Sequence, residues 1–473
     1  MEALNNVLTK INDLMYTYIL IIMLVGTGIY FTISTRGVQF RLLKDGIKSM
    51  LGKAEKNEDG TKKVSSFQAL MISTASRVGT GNIAGIATAI ATGGPGAVFW
   101  MWLMALVGGA SAFVESTLAQ IYKVKDKDQF RGGPSYYMER ALKARWMGII
   151  FSILLIICFA YGFNGLQAFN MSSALEYYFP NYSESLGPMI LGIVLAVLTG
   201  SIIWGGTHRI GFISSVIVPI MACAYILIGL ATMVMNITEL PGLFAFIFRE
   251  AFDVQAIMGG FAGSAVVIGI KRGLFSNEAG MGSAPNASAS AEVPHPVNQG
   301  LVQIISVFID TILICSSTAM MLLTSDVEGI AGKLDGIPYV QQAISSNVGQ
   351  WGIHFITVAI FAFAFTSVIG NYCYAESNIL FIKNNKIVLN IFRVTCVLAV
   401  FLGAQADFSL AWNLADVTMG LMAIVNIIAI LLLGNTAIKA LKNYEEQKKS
   451  GKKPVFVGED IGIEGTVWTR EQK

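Results

Sequence analysis

The chain has 473 residues, of which 54% are hydrophobic and only 13% are charged, and its formal net charge is +3. Because about a quarter of the residues of a soluble domain are charged, this composition excludes an ordinary soluble protein and predicts a polytopic membrane protein. The small net charge by itself says little about the protein. The distribution of the charges along the chain is more informative.

Eleven apolar segments are predicted to span the bilayer as helices, so the expected fold class is all-α. The N-terminus lacks the basic start and cleavage site of a signal peptide, and we expect the first segment to stay attached. The whole chain, 1–473, is predicted to form one transmembrane domain with a connection at 35–65 and a tail at 435–473. The approximate limits of the segments are 15–34, 66–91, 96–122, 147–170, 187–204, 210–235, 253–272, 299–324, 352–378, 388–404 and 409–434.

Lysine and arginine accumulate in alternate connections. The connections 35–65 and 123–146 carry eight and seven basic residues, and later connections on the same side carry Arg209, Lys271 and Arg272. The connections on the opposite side carry only Arg249 and Lys333. By the positive-inside rule, the protein is predicted to be a multi-pass protein of the cell membrane with its N-terminus outside and its C-terminus in the cytoplasm.

The second segment contains a predicted break. Within Ser73–Ala91 (STASRVGTGNIAGIATAIA), the run Val78–Asn82 places two glycines, a hydroxyl and an amide near the bilayer midplane. Irregular backbone at that depth is tolerated only against protein or a polar cavity, and two opposed half-helix ends suit a neighbouring anion and cation. The alternative is a glycine kink that serves only tight helix packing.

The odd number of segments indicates one extra helix followed by two halves of five. Segments two to six (66–235) start inside and segments seven to eleven (253–434) start outside, as an inverted repeat requires. The repeat predicts a second broken helix, and Gly259–Gly263 supplies three glycines near the middle of segment seven. Paired glycine interruptions in the two halves indicate a central binding site.

The ninth segment offers oxygen ligands for a hard cation. Thr366 and Ser367 lie at its centre, and Phe363 lies one turn earlier. Two hydroxyls, the Phe363 carbonyl and the carbonyls of Ala75 and Val78 in the unwound turn are enough to surround a sodium ion. The alternative is that both hydroxyls bond only to their own helix.

Five long stretches resemble known sequence patterns, namely RVGTGNIAG (Arg77–Gly85), GGPGAVFWMWLMALVG (Gly93–Gly108), GGPSYYM (Gly132–Met138), RGLFSNEAGMGSAP (Arg272–Pro285) and WNLAD (Trp412–Asp416). Together they resemble the alanine/glycine:cation symporter family of the amino-acid–polyamine–organocation superfamily. The resemblance covers nearly the whole chain. It implies the leucine-transporter-type inverted-repeat fold and the sodium-coupled import of small neutral amino acids by alternating access.

The resemblance also implies roles for individual positions. The substrate carboxylate would meet the unwound turn, Gln167 matches a pocket glutamine, and the pocket aromatic falls on Phe261. Phe275 is a rival, but the neighbouring Lys271 and Arg272 argue for a place near the cytoplasmic surface. The implied substrate-binding positions are Gly79, Thr80, Gly81, Asn82, Gln167, Phe261 and Asn371, and the implied sodium ligands are Ala75, Val78, Phe363, Thr366 and Ser367.

Asn371 departs from the family pattern, because alanine-selective members typically carry tryptophan at this position. Asparagine leaves more room and adds a donor and an acceptor, which favours a larger, polar side chain such as that of glutamine. The alternative is that another side chain fills the gap and the specificity stays with alanine and glycine.

Charged residues inside the apolar segments need protein or water as partners, because isolated charges in lipid are costly. We expect structural ion pairing for Glu115, Asp310 and Asp416, and a gating contact between Glu278 and Arg77. The basic stretch Lys442–Lys453 is expected to be a solvated tail near anionic lipid.

Other classes of protein are disfavoured. The three histidines are scattered without metal-ligand spacing, and no phosphate-binding loop is present, so neither an enzyme nor a primary pump is predicted. The five cysteines lie in apolar stretches, and we infer neither a disulfide nor a metal site. The expected partners are an amino acid, a sodium ion and the bilayer, without nucleic acid, in a monomer. A proton-coupled neutral amino-acid permease is the alternative.

Overall fold

The computed structural model of the chain describes residues 2–52, 64–126, 129–179, 181–253, 264–325 and 335–470. Within these ranges the protein is almost entirely helical, as the apolar segments predict. The only sheet of the described chain is a short antiparallel pair, β1 (Val124–Asp126) and β2 (Gln129–Arg131), in which Val124 lies opposite Arg131.

The helices follow one another with few long connections. The first are α1 (Glu2–Met15), α2 (Ile21–Ser34), α3 (Val38–Arg41), α4 (Leu43–Met50), α5 (Ser66–Arg77), α6 (Ile86–Gly93), α7 (Gly96–Ile121), α8 (Pro134–Arg140), α9 (Arg145–Leu155) and α10 (Asn164–Ser173). The others are α11 (Gly187–Ile203), α12 (Thr207–Met235), α13 (Leu240–Ala251), α14 (Ala265–Asn277), α15 (Pro285–Ser290), α16 (Pro296–Phe308), α17 (Ser316–Leu323), α18 (Gly336–Val348), α19 (Trp351–Ile382), α20 (Lys386–Gly403) and α21 (Phe408–Lys449). Wider π turns join α1 to α2, α9 to α10 and α16 to α17 without interrupting the helix.

Among the described residues, eight helical stretches are long and apolar enough to cross a membrane. The remaining predicted segments contain α5, α6, α11 and α14, which are shorter. The eight stretches are Asn5–Ser34, Gly96–Ile121, Arg145–Ser173, Arg209–Met235, Pro296–Leu323, Trp351–Ile382, Lys386–Gly403 and Ser409–Lys449.

Two helices extend well beyond the predicted apolar limits. The first helix begins at Glu2, and α21 continues to Lys449. The N-terminal part of the first helix carries polar residues that face α21, where Asn12 Nδ2 lies 3.1 Å from Asn413 Oδ1 and donates to it. Hydropathy alone finds only the apolar part of such an amphipathic helix.

The first break lies where the glycine pattern predicts it. The helix α5 begins with a capping box in which Ser65 and Gln68 exchange hydrogen bonds of 3.0 Å. It ends at Arg77, and Val78 takes an extended conformation with φ −78° and ψ 90°. A π turn at Gly81–Gly85 then leads into α6. The second predicted break, Gly259–Gly263, lies outside the described residues.

Ion pairing is confirmed for one of the three buried carboxylates. Asp416 accepts bonds from Lys271 at 2.6 Å and from Arg272 at 2.8 Å. For the other two the prediction is wrong within the described chain. Glu115 accepts from the amide of Asn426 at 2.9 Å, and Asp310 accepts from neutral side chains described below.

The residues after α21 fold back onto the end of the bundle. Phe456 and Val457 are buried, and the Phe456 amide donates to the Pro294 carbonyl at 2.9 Å. Further along, the Trp468 indole donates to the Gln120 carbonyl at 2.8 Å. The basic residues of Lys442–Lys453 are themselves exposed, although Tyr444 within the same stretch is buried.

Candidate substrate and cation site

The turn between α5 and α6 lies wholly inside the protein. Val78, Thr80 and Asn82 are fully buried. A helix end leaves its last carbonyls without intrahelical partners and carries partial negative charge, whereas a helix start presents N–H groups and partial positive charge. The end of α5 therefore favours a cation, and the start of the following turn favours an anion beside it.

Three carbonyl oxygens converge on the hydroxyl of Ser367 in α19. The Oγ atom lies 2.9 Å from the Ala75 carbonyl oxygen, 3.2 Å from that of Val78 and 3.0 Å from that of Phe363. A hydroxyl has only one proton to donate, so this cluster has more acceptor oxygens than its donor can satisfy. Such a surplus of carbonyl and hydroxyl oxygen is the chemistry that a hard cation prefers.

Thr366 joins the same cluster through one shared carbonyl. Its Oγ1 lies 2.9 Å from the Phe363 carbonyl oxygen and 3.0 Å from that of Ala362, both in its own helix. The alternative of bonding within the helix therefore describes Thr366, whereas Ser367 also bonds across to the end of α5. The structure brings the five predicted cation ligands together.

Two backbone N–H groups of the turn meet amide side chains. The Gly79 N–H donates to Asn82 Oδ1 at 3.0 Å, and the Thr80 N–H donates to Gln167 Oε1 at 3.1 Å. Gln167, on α10, is itself buried. An amide oxygen accepts from these donors as a carboxylate oxygen would, so the turn has the donors that an amino-acid carboxylate needs.

A Cβ atom at Gly81 or at Gly79 would force neighbouring side chains to shift. A Cβ atom on Gly81 would lie 2.6 Å from Cδ1 of Phe275, and one on Gly79 would lie 2.9 Å from Oε1 of Gln167. Both distances are shorter than a Cβ atom tolerates. These contacts bring the Gln167 amide and the Phe275 ring directly against the unwound turn.

The basic neighbours Lys271 and Arg272 do not separate Phe275 from the turn. Phe275 is buried against the turn, and its ring centroid lies 4.7 Å from that of Phe163 and 5.3 Å from that of Trp412. The reason is that Arg272 is buried beside Asp416 and does not mark a surface. Phe261, the other candidate for the pocket aromatic, lies outside the described residues.

Asn371 is fully buried on the same face of α19 as Ser367, one turn away. Its Oδ1 accepts from Ser76 Oγ at 2.6 Å, and its Nδ2 donates to Asn164 Oδ1 at 3.0 Å. Both polar groups of its amide thus have protein partners. A substrate amide at this position would have to exchange with Ser76 or Asn164.

The predicted contact between Arg77 and Glu278 is wrong for this structure. No ion pair joins them in the described chain; Arg77 donates to Gln303 at 2.9 Å instead. Glu278, in a left-handed backbone conformation, accepts from Ser76 at 3.2 Å and from Ser283.

Sequence reasoning missed several polar neighbours of the turn. Asn164 lies three positions before Gln167 and so shares its helix face, which is a signal that spacing alone offers. Ser76 lies in the last turn of α5. Ser276 and Asp310 reach the turn from distant parts of the sequence, and their approach has no local signal.

Comparison with known proteins shows similarity over almost the whole chain. The sequence pattern of the sodium:alanine symporter family matches residues 1–458. The amino-acid carrier protein AlsT of Bacillus subtilis is 48% identical, covering 98% of this chain and 97% of its own. The probable sodium/glutamine symporter GlnT of the same organism is 46% identical, covering 96% and 94%. The putative sodium/proton-dependent alanine carrier protein YrbD, again from Bacillus subtilis, is 43% identical, covering 98% and 97%.

A solved structure shows a similar arrangement of helices. The crystal structure of a manganese transporter from Eremococcus coleocola superimposes with a TM-score of 0.51, covering 82% of this chain and 81% of that one. The two sequences are only 12% identical, so the likeness concerns the fold alone.

Proposed function

Because this chain belongs to the sodium:alanine symporter family, we propose that it imports a small neutral amino acid together with sodium by alternating access. The family is one of transporters and not of enzymes. The observation that carries the proposal is the first break, where a cluster of carbonyls at one half-helix end lies next to N–H donors at the other. A zwitterion and a cation need such a pair of ends side by side.

The proposed sodium ligands are the carbonyls of Ala75, Val78 and Phe363 and the hydroxyls of Thr366 and Ser367. Sodium would take the position towards which the three carbonyls point, and the Ser367 hydroxyl would then turn a lone pair to the ion. This exchange is consistent with distances of 2.9 to 3.2 Å, because a rotation about one side-chain bond suffices. The ion is transported as a co-substrate.

The proposed amino-acid site is the turn Gly79–Asn82 with Gln167, an aromatic side chain and Asn371. The substrate carboxylate would accept from the Thr80 N–H and displace the Gln167 oxygen from it. The released Gln167 amide is then free to bond the substrate. For the aromatic, Phe275 is supported by its contact with Gly81, and Phe261 stays the prediction of the family resemblance.

Glutamine is the proposed larger substrate, and alanine and glycine are the alternatives. Asn371 in place of an indole supports the former, and one relative is named a probable sodium/glutamine symporter. A hydrogen-bonding pocket discriminates against analogues that lack the bonding group, since its own amide is then left without a partner.

The proposed architecture is eleven spans in a monomer, with one extra helix and two inverted halves at 66–235 and 253–434. The N-terminus would lie outside the cell and the tail 435–473 in the cytoplasm. The alternation of basic residues supports this orientation, and the transporter-like fold supports the arrangement of helices.

Uptake of labelled alanine into proteoliposomes tests the function. We expect saturable uptake that requires external sodium and that is competed by small neutral amino acids. Uptake that is unchanged when choline replaces sodium, and that follows an imposed proton gradient, would support a proton-coupled permease instead. The name of one relative, a putative sodium/proton-dependent carrier, makes this comparison necessary.

A further inference from the structure

Asp310 is a fully buried carboxylate in the π turn Ile309–Cys315 between α16 and α17. Its two oxygens accept three side-chain hydrogen bonds, from Asn82 Nδ2 at 2.7 Å, Ser276 Oγ at 2.7 Å and Thr311 Oγ1 at 2.9 Å. The donors lie in the first broken helix, in α14 and beside Asp310 in the π turn itself. A single carboxylate thus joins the first broken helix to α14 and to the eighth segment.

The role of Asp310 differs from that of the other buried aspartate described above. Asp416 pairs with two cations, Lys271 and Arg272. In the described chain Asp310 has no such ion pair, and its side-chain partners are all neutral donors. An acceptor-only group with this set of partners fixes where the donors point, because hydrogen bonds to a charged group are about twice as strong as neutral ones.

Asn82 links Asp310 to the backbone of the unwound turn. Its Nδ2 is held by Asp310, so its Oδ1 is turned to the Gly79 N–H at 3.0 Å. The carbonyl of Asn82 is held as well, because Thr318 Oγ1 donates to it at 2.5 Å. Asp310 and Thr318 lie on the same stretch of helix, Pro296–Leu323, which therefore forms hydrogen bonds with Asn82 at two points.

We infer that Asp310 is a positioning residue for substrate binding, which acts through Asn82 to set the conformation of the turn that receives the amino-acid carboxylate. This inference rests on the proposed function. Asn82 holds the Gly79 N–H, and the peptide group of that N–H includes only one of the five proposed sodium ligands, the Val78 carbonyl. Loss of Asp310 therefore weakens amino-acid binding more than sodium binding.

An exchange of the two side chains tests the contact and its consequence together. Asn82→Asp alone places two carboxylates against each other, and we expect the KM for labelled alanine to rise by about tenfold or more. Asp310→Asn added to Asn82→Asp restores a donor and an acceptor in reversed order, and we expect the KM to return to within about threefold of wild type. In both variants the half-saturating sodium concentration is expected to stay within about threefold.

The control is Asp335→Asn, since Asp335 also accepts from a threonine hydroxyl, that of Thr88 at 2.9 Å, but does not contact the turn. It should leave the KM for alanine unchanged. A double variant that is no better than Asn82→Asp alone, or a sodium requirement that moves as far as the KM, would overturn the inference.

Failure of the proposed function gives a different result, namely a wild-type protein without sodium-dependent uptake. In that case the contact between Asn82 and Asp310 can still be tested by measuring the melting temperatures of the purified proteins. Asn82→Asp should then lower the melting temperature and the added Asp310→Asn should restore it. Without that restoration, Asp310 does not position Asn82.

Discussion

Ser367 and Gln167 each place a polar group where a transported species is proposed to bind. The Ser367 hydroxyl lies among three carbonyls, and the Gln167 amide oxygen accepts from the Thr80 N–H. Both contacts satisfy backbone groups that would otherwise be buried without a partner, which costs about 1–3 kcal/mol each. A sodium ion or an amino acid bound at these positions would replace existing hydrogen bonds. When it leaves, those bonds form again, so its release requires little free energy.

Replacing Thr366 and Ser367 together by alanine is expected to raise the half-saturating sodium concentration by about tenfold or more. The reason is the loss of two of the five proposed oxygen ligands. Titration of alanine uptake against sodium measures this. The matched control is Thr418→Ala, because the Thr418 hydroxyl bonds the Leu414 carbonyl of its own helix at 2.8 Å. If the double variant keeps the wild-type sodium dependence, the two hydroxyls bond only to the protein.

Asn371→Trp is expected to weaken competition by glutamine more than competition by alanine or glycine. The indole is larger than the asparagine side chain and lacks its amide. Asn371→Ala separates these effects, since it removes the amide and leaves the space. Competition of labelled alanine uptake by each neutral amino acid measures both variants. Failure of glutamine to compete in the wild type would contradict the enlarged pocket and favour alanine and glycine.

The break in the second segment and the hydroxyls of α19 could be predicted, because both are local patterns of residue type. The contacts of Asp310 and Phe275 could not. Asn82 and Asp310 are 228 positions apart, and neither residue type predicts a contact with the other. Lys271 and Arg272 indicate a surface by residue type alone, whereas in the structure both pair with the buried Asp416.

At the scale of whole elements, the connection from α15 to α16 is held by the folded-back tail. His295, which precedes α16 and lies outside the candidate spans, accepts at Nδ1 from the Val297 N–H at 3.2 Å. Its other ring nitrogen therefore carries the proton and donates to Asn443 Oδ1 at 3.2 Å. The rings of Tyr444 and Phe456 pack against it edge to face.

Burial lowers the pKa of His295 to about 4, against a smaller opposing effect of the bond to Asn443. The unfolded chain takes up this proton near pH 6.5, before the folded protein does, so stability is lost as the pH falls from about 6.5 to about 4. The loss from this residue is expected to approach roughly 3 kcal/mol at the acid end.

Melting temperatures of wild type and His295→Gln at pH 7.5 and pH 5 measure the effect. The wild type should lose more stability than the variant on acidification. His354→Gln is the control, because His354 contacts the exposed Tyr178 hydroxyl and not the tail. Equal losses in wild type and His295→Gln would show that His295 does not carry the pH dependence.

Hydropathy predicted the helices well where they are apolar throughout and less well at their ends. It missed the start of the first helix because that part, α1, is amphipathic and packs against α21. The course of the chain after Lys449 could not be predicted either, since Phe456 and Trp468 are isolated aromatic residues in a polar stretch. Their burial depends on a surface formed by distant helices.

For the whole molecule, transport of a zwitterion with one sodium ion moves one net charge. The membrane potential then contributes about 2.3 kcal/mol per 100 mV, and a tenfold sodium gradient adds about 1.4 kcal/mol. Together they sustain an accumulation of roughly 500-fold. We expect uptake into proteoliposomes to increase when a valinomycin-induced potential makes the interior negative. Uptake insensitive to the potential would exclude this stoichiometry.

The contact between Trp468 and Gln120 can form only late in the synthesis of the protein. The helix α7 is made early, whereas Trp468 leaves the ribosome only after every membrane helix has been translated. Until then the Gln120 carbonyl lacks its indole partner, and Lys123 lacks the aromatic face of Trp468, which lies 4.7 Å from its ammonium group. The end of the bundle next to α7 therefore gains these two contacts last, after the membrane helices have been made.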